Sequence, residues 1–398
     1  MKDKWRKAFD FISEYSLYGL IFFLPISKGM VETFAGFALL GFLGRKILNP
    51  DFKFLKSRPN IFLLFFVLFS ALSMFNSGPY LAKSIHALFL KWLKYIGIFL
   101  FVQDALSNRQ RVRKAIFILL VAAGLLGIDG LTQRFLSMEF IRHKSLIPLS
   151  MNSDLYGVTA SFNHYNDFGT YLIVVLSLAL ALLISTQLKY IYKRYLLGLV
   201  ILLGACLIFT FSRGAWISFV FSIILMTILS GEYKKTFPVL AIFIILLFIP
   251  LFQKRLFSIF ESGADADRFK YWYAALMMIK EHPFLGQGLG TFMDHFSRFQ
   301  PNLYVSYAHN CYLQIWAESG IFSLLSFICF VAVVIYKAGK RFKKNRDFLL
   351  LGVICALFGF LAHSALDTQL YSLQLSFLFW SMMGLVMVLS KSEKDVNR

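Results

Sequence analysis

The chain has 398 residues and a net charge of +20, from 41 Lys and Arg against 21 Asp and Glu, yet only 16% of residues are charged and 58% are hydrophobic. Soluble domains carry about 25% charged residues, so a mean hydropathy of +0.66 with 46 Phe excludes an ordinary soluble protein and points to a chain solvated mainly by lipid. Lys and Arg fall in short clusters between apolar runs rather than along one polar face, which argues against nucleic acid as a partner. The four Cys lack the spacing of a disulfide framework or a metal site.

In chain order, apolar runs near bilayer length occur at 11–24, 29–44, 61–75, 85–101, 115–131 and 168–184, then at 196–211, 215–229, 237–252, 321–336, 348–362 and 373–389. They predict an all-α fold, a polytopic membrane bundle of about 12 transmembrane helices forming one domain over 1–398. The basic N-terminal stretch is read as a retained anchor, because Glu14 interrupts the first run. Most cations fall in the connections that are cytoplasmic if the N-terminus is inside. These include Arg45 and Lys46, Arg109 to Lys114, and Lys337 to Arg346. Both termini are therefore expected in the cytoplasm. The two long connections, 132–167 and 253–309, lie on the opposite, outer face and are expected to form a loop cap there. Lys91 and Lys94 fall inside the fourth run.

Polar residues able to do chemistry gather at that outer face. Ser212-Arg213-Gly214-Ala215-Trp216 forms a nearly absent connection between the seventh and eighth runs. An arginine there is either a snorkelling helix-end cation or a fixed two-pronged donor suited to a phosphate. Arg268 opens an amphipathic helix in the long connection 253–309, where it is either a lipid-headgroup contact or a second anion ligand. The Gly286-Gln287-Gly288-Leu289-Gly290 stretch lacks the strand that a dinucleotide fingerprint requires and reads as a tight turn. Asn310, Gln314 and Glu318 recur at helical spacing, with His309 and Tyr312 on a neighbouring face. His309 is either structural or a proton acceptor. Asn163, Asn166, His363 and Asp367 are further polar candidates. No carboxylate spacing suggests a divalent metal, and neither metal nor cofactor is expected.

The ordered set of Ser212 to Trp216, Arg268 to Trp272, His282-Pro283 with its glycine turn, and His309-Asn310 with Tyr312-Leu313-Gln314, Glu318 and Gly320 resembles the O-antigen ligase and polymerase superfamily of membrane glycosyltransferases. Asn163-His164-Tyr165-Asn166 is similar to a stretch preceding a middle span in the same group. The motif-bearing region covers 160–335. The resemblance implies a GT-C-like bundle in the inner membrane with its active site on the periplasmic face. It also implies a glycan on undecaprenyl diphosphate as donor and lipid A core, or another lipid-linked glycan, as acceptor. Arg213 and Arg268 would bind the diphosphate and His309 would act as general base, with inversion at the anomeric carbon. Asn310, Tyr312, Gln314, Glu318, Asn163, Asn166 and Asp367 would support the cavity. An O-antigen ligase fits best. A polymerase using a lipid-linked repeat is the nearest alternative, and a transporter a remoter one, since the polar groups gather at one face and no repeated halves stand out.

Overall fold

The computed structural model describes residues 2–51, 57–149, 155–246, 248–257, 264–301 and 307–391. Lys53, Lys56, Lys394, Arg398 and the side chains of Asp265 and Asp267 lie outside the described residues. The described chain is predominantly helical, with one two-residue antiparallel ribbon pairing Ile147 with Gly157 and Pro148 with Tyr156.

Two helices of similar length, α1 (Lys2–Phe23) and α2 (Lys28–Leu48), form a hairpin whose turn is closed by Ser27, the N-cap of α2. Next come α3 (Arg58–Leu72) and a long composite element. In the latter, α4 (Leu81–Ala87) continues through a π-helical turn, Leu88–Trp92, into α5 (Leu93–Ala105). The long α6 (Arg109–Leu136) starts at the cap Asn108. Then follow α7 (Tyr165–Ile184), α8 (Tyr190–Phe209) and α9 (Arg213–Ser230). Seven helical elements are long and apolar enough to cross a membrane: Arg58–Asn76, Gly78–Ala105, α6, α7, α8, α9 and α14 (Cys311–Asn345). Two shorter apolar helices, α15 (Phe348–Ser364) and α16 (Leu373–Leu389), complete the bundle. These features make the chain an all-α integral membrane protein.

The centre is α7, α15 and α16, which are buried along most of their lengths and contact protein rather than lipid. Around them, α7 packs on α8, α9 and α15, α16 packs on α5, and α14 packs on α3. Small residues permit the close crossings: a Cβ on Gly359 would lie 2.5 Å from Ile173, and one on Gly352 would lie 2.9 Å from Ala181. At the basic end the acids are paired with the clustered cations. Arg45 bonds Asp10 at 3.1 Å and also Asp104, while Arg111 reaches Glu14 at 2.7 Å. These contacts tie α1, α2, α5 and α6 together.

The run at 237–252 is not one helix. Here α10 (Tyr233–Leu246) carries Pro238 and ends before Pro250, which opens α11 (Pro250–Phe257). Proline has no N–H to give the preceding turn and disfavours helical backbone at the residue before it, so the chain bends at Ile249-Pro250. At 14 residues α10 is roughly 21 Å long, short of a hydrocarbon core of about 30 Å.

Candidate functional site

His309 stands just before α14, in left-handed backbone with φ +50°. Non-glycine residues are uncommon there, and such strain is found where surrounding contacts fix a functional side chain. Asn310 caps α14, its Oδ1 accepting the N–H groups of Tyr312 at 3.0 Å and Leu313 at 3.1 Å. Imidazole Nδ1 of His309 lies 2.8 Å from Oδ1 of Asp367, which sits in the connection between α15 and α16. Asp367 also accepts from Nδ2 of Asn166 at 2.5 Å and from the N–H of Thr368 at 2.8 Å. Burial alone would raise the Asp367 carboxyl, but its bond to His309 and the charges of His309, His363 and Arg268 hold it well below the usual carboxylate range. An ionised Asp367 accepts only, so Nδ1 of His309 is the donor and a neutral ring keeps its lone pair on Nε2.

The same network reaches the Ser212-Arg213 turn. Oγ of Ser212 donates to Oδ1 of Asn166 at 2.6 Å and caps α9 by accepting from Ala215. Asn166 thus spans from Asp367 to Ser212. Phe211, directly before the cap, has φ +52°. Arg213 is buried, with 9% exposure, which removes the snorkelling reading. Its Nη1 donates to the carbonyl of Arg255 at 3.4 Å, and Nε of Arg255 donates to the carbonyl of Phe211 at 3.1 Å. Arg255 is brought there by Phe252, one turn earlier on α11, which packs against Phe211 and Trp216. On α12 (Ala264–Glu281), Tyr271 stacks on the His309 ring with centroids 5.6 Å apart. Arg268, half-buried one turn before it, acts electrostatically on Asp367 and His164. Tyr165 lies within reach of the charges of Arg213, Arg255 and Arg268 together. Arg255 carried no signal in the sequence beyond a Lys-Arg pair at the end of an apolar run.

The polar stripe on α14 has a different use. Oε1 of Gln314 accepts the N–H of Ala308 at 3.0 Å, fixing the residue before His309. Buried Glu318 accepts from Gly290 N–H at 3.0 Å, Gln314 Nε2 at 3.1 Å and Tyr371 at 3.2 Å. Tyr312 donates to the carbonyl of Leu361 at 2.8 Å, joining α14 to α15. Asn310, Tyr312, Gln314 and Glu318 therefore position the chain around His309, and none of them lines the cavity beside it. Gly320 breaks α14 with φ +80° and ψ 172°, and the glycine stretch docks onto the break. Gln287 N–H bonds the carbonyl of Ala317 at 2.9 Å, Gly288 N–H bonds that of Glu318 at 2.9 Å, and Ile321 N–H bonds Pro283 at 3.0 Å. Gly286, Gly288 and Gly290 all have positive φ, so the turn reading holds.

A cavity of about 600 Å³ opens beside His309 and Asp367. Asn163 and His164 line it from the start of α7, Lys28 from α2, and Lys91 and Lys94 from the π-turn and α5. Asn163 is held by Lys144 at 2.8 Å. Burial keeps His164 below the ordinary imidazole range despite Asp367 nearby, in keeping with its Nδ1 accepting from Asn166 N–H at 3.1 Å. None of the three arginines lines this cavity, so the His309–Asp367 pair marks a boundary between an arginine-bearing region and a lysine-lined one. Among the described residues no group of three His, Cys, Asp or Glu side chains is arranged to hold a metal ion.

The chain has no match among curated proteins. Residues 197–328 match the family model described as O-antigen ligase. That segment contains Arg213, Arg255, Arg268, His309, Gln314 and Glu318, while Asn166 and Asp367 lie on either side of it. The match supports a membrane enzyme of the O-antigen ligase or polymerase type, in accord with the apolar helices. Over residues 197–328, a third of its length, the chain is similar to the O-antigen ligase family.

Proposed function

We propose that the protein transfers a glycan from undecaprenyl diphosphate to a hydroxyl of lipid A core, acting as an O-antigen ligase. The observation that carries this reading is the continuous link Ser212–Asn166–Asp367–His309, which sets an imidazole and a buried arginine turn in one frame. Nε2 of His309 takes the proton of the acceptor hydroxyl as its oxygen attacks the anomeric carbon. The bond from that carbon to the diphosphate oxygen breaks on the opposite face, so a single displacement inverts the configuration. Charge gathering on the leaving diphosphate is met by the guanidinium groups of Arg213 and Arg268, whose planar forks suit phosphate oxygens. Arg255 keeps Arg213 in place. Asp367 stabilises the imidazolium until its proton leaves. Two guanidinium groups supply the charge that a divalent metal supplies elsewhere, so the reaction runs without one.

The distribution of cations supports an inner-membrane orientation with both termini cytoplasmic and this site on the periplasmic face. A lipid-linked repeat as acceptor would make the same chemistry a polymerase. Purified protein given one labelled donor and either lipid A core or a lipid-linked repeat decides between them. We expect the glycan on lipid A core, and transfer to the lipid-linked repeat alone would overturn the ligase assignment.

A further inference from the structure

Lys91 and Lys94 lie within an apolar span, Gly78–Ala105, where an ammonium group is costly unless it serves a partner or a ligand. Both point toward the cavity of about 600 Å³ that also meets His309. The π-helical turn at Leu88–Trp92 helps to put them there. Its wider turn, closed by the Leu93 N–H to Leu88 carbonyl bond, places residues four and five apart on one face. His86, Lys91, Lys94 and Tyr95 consequently line the same wall. Lys94 is engaged by Glu32, with both carboxylate oxygens at 2.6 Å. The other acids lining the cavity are Asp367, occupied by His309, Asn166 and Thr368, and Asp167, which accepts from Ser372 Oγ at 3.3 Å and lies within reach of the charge of Lys28. Among the described residues neither Lys28 nor Lys91 forms an ion pair with a carboxylate, and both face the cavity.

We propose that this cavity is the acceptor site and that Lys28 and Lys91, flanked by the Lys94–Glu32 pair, bind an anionic sugar bearing phosphate or carboxylate groups near the reacting hydroxyl. The inference rests on the transfer reading above and deepens it. Arg213, Arg255 and Arg268 do not line the cavity, so the diphosphate and the acceptor meet His309 from separate regions. The cations of the cavity also come from α2 and α4–α5, outside the segment 197–328 that carries the family match. Donor chemistry accordingly sits in the matched segment, and acceptor choice in the N-terminal helices.

The test uses the full chain in phosphatidylcholine nanodiscs, with glucose 6-phosphate and glucose as acceptor-site probes and farnesyl diphosphate as donor-site probe. Glucose 6-phosphate is expected to bind with an affinity that falls with added salt, and glucose to bind much more weakly. The double substitution Lys28→Gln/Lys91→Gln should weaken glucose 6-phosphate about tenfold or more, because two charge-assisted contacts are lost. Lys91→Arg should retain binding. Farnesyl diphosphate binding should be unchanged in these lysine variants, which certifies their fold, and weakened in Arg213→Lys, which tests the donor reading separately. Equal binding of glucose and glucose 6-phosphate, in the wild-type protein alone, would overturn the proposal whatever the variants do. So would unaltered binding in the double variant. Displacement of glucose 6-phosphate by phosphatidylglycerol in the nanodisc would overturn it too, by assigning the lysines to a lipid headgroup.

Discussion

A charge alone does not explain Arg213, whose guanidinium is buried and fixed by Arg255, so its shape matters as much as its sign. Arg213→Lys keeps the charge but cannot reproduce a two-pronged contact, and is expected to cost ~10²-fold or more in transfer with weakened diphosphate binding. Wild-type turnover in that variant would remove Arg213 from the reaction. Asp367→Asn leaves the geometry but permits the wrong His309 tautomer, so transfer should fall by ~10² to 10⁴-fold while the donor still binds. The double variant with His309→Ala should be little worse than either single one, and additive losses would show that the two residues act independently. Because Asp367 is depressed in the folded protein, its contribution to stability is complete above roughly pH 4 and fades only as pH falls below that. The gap in thermal midpoint between wild type and Asp367→Asn should therefore narrow as pH falls below about 4. A gap that widens below about pH 4 would contradict an ionised Asp367. The sequence made His309 and Arg213 visible, since each is an unexpected polar residue at the end of an apolar run. It showed Asp367 only as an isolated acid, because its partner is 58 residues away and the contact depends on how α15 and α16 pack.

Among the elements, α14 illustrates what periodicity can and cannot reveal. The polar spacing of Gln314 and Glu318 was legible as one helix face, and both do lie on α14. Its purpose was not legible, because the partners are backbone groups of the 286–290 turn and of Ala308. Gly320 joins the two halves of α14 in backbone that other residues rarely adopt, and a Cβ there would sit 2.0 Å from the carbonyl oxygen of Phe284. Gly320→Ala should destabilise the fold by about 1–3 kcal/mol from backbone strain alone, with more from the clash. A thermal midpoint within error of wild type would show that the break can relax. The run at 237–252 taught the opposite lesson. Hydropathy marked one span, and Pro250 divided it, since average apolarity does not register where a helix must end.

For the molecule as a whole, composition was enough to establish an all-α membrane bundle, and the order of motifs was enough to point to the family. How its parts meet came only from packing. The connection 253–309 contributes Arg268 and Tyr271, the end of α15 leads to Asp367, and the start of α7 supplies Asn166. The central claim is that this assembly transfers a glycan from a diphosphate by guanidinium stabilisation and an imidazole base. The most direct measurement is single-turnover release of undecaprenyl diphosphate from a labelled lipid-linked glycan, by purified protein with lipid A core and excess EDTA. Wild-type protein should release diphosphate and form an inverted glycoside at a rate that EDTA does not change. His309→Ala should bind the same donor and release it ~10² to 10⁴-fold more slowly per folded molecule. Loss of wild-type transfer in EDTA with recovery on adding Mg²⁺, or a normal rate in His309→Ala, would contradict the account.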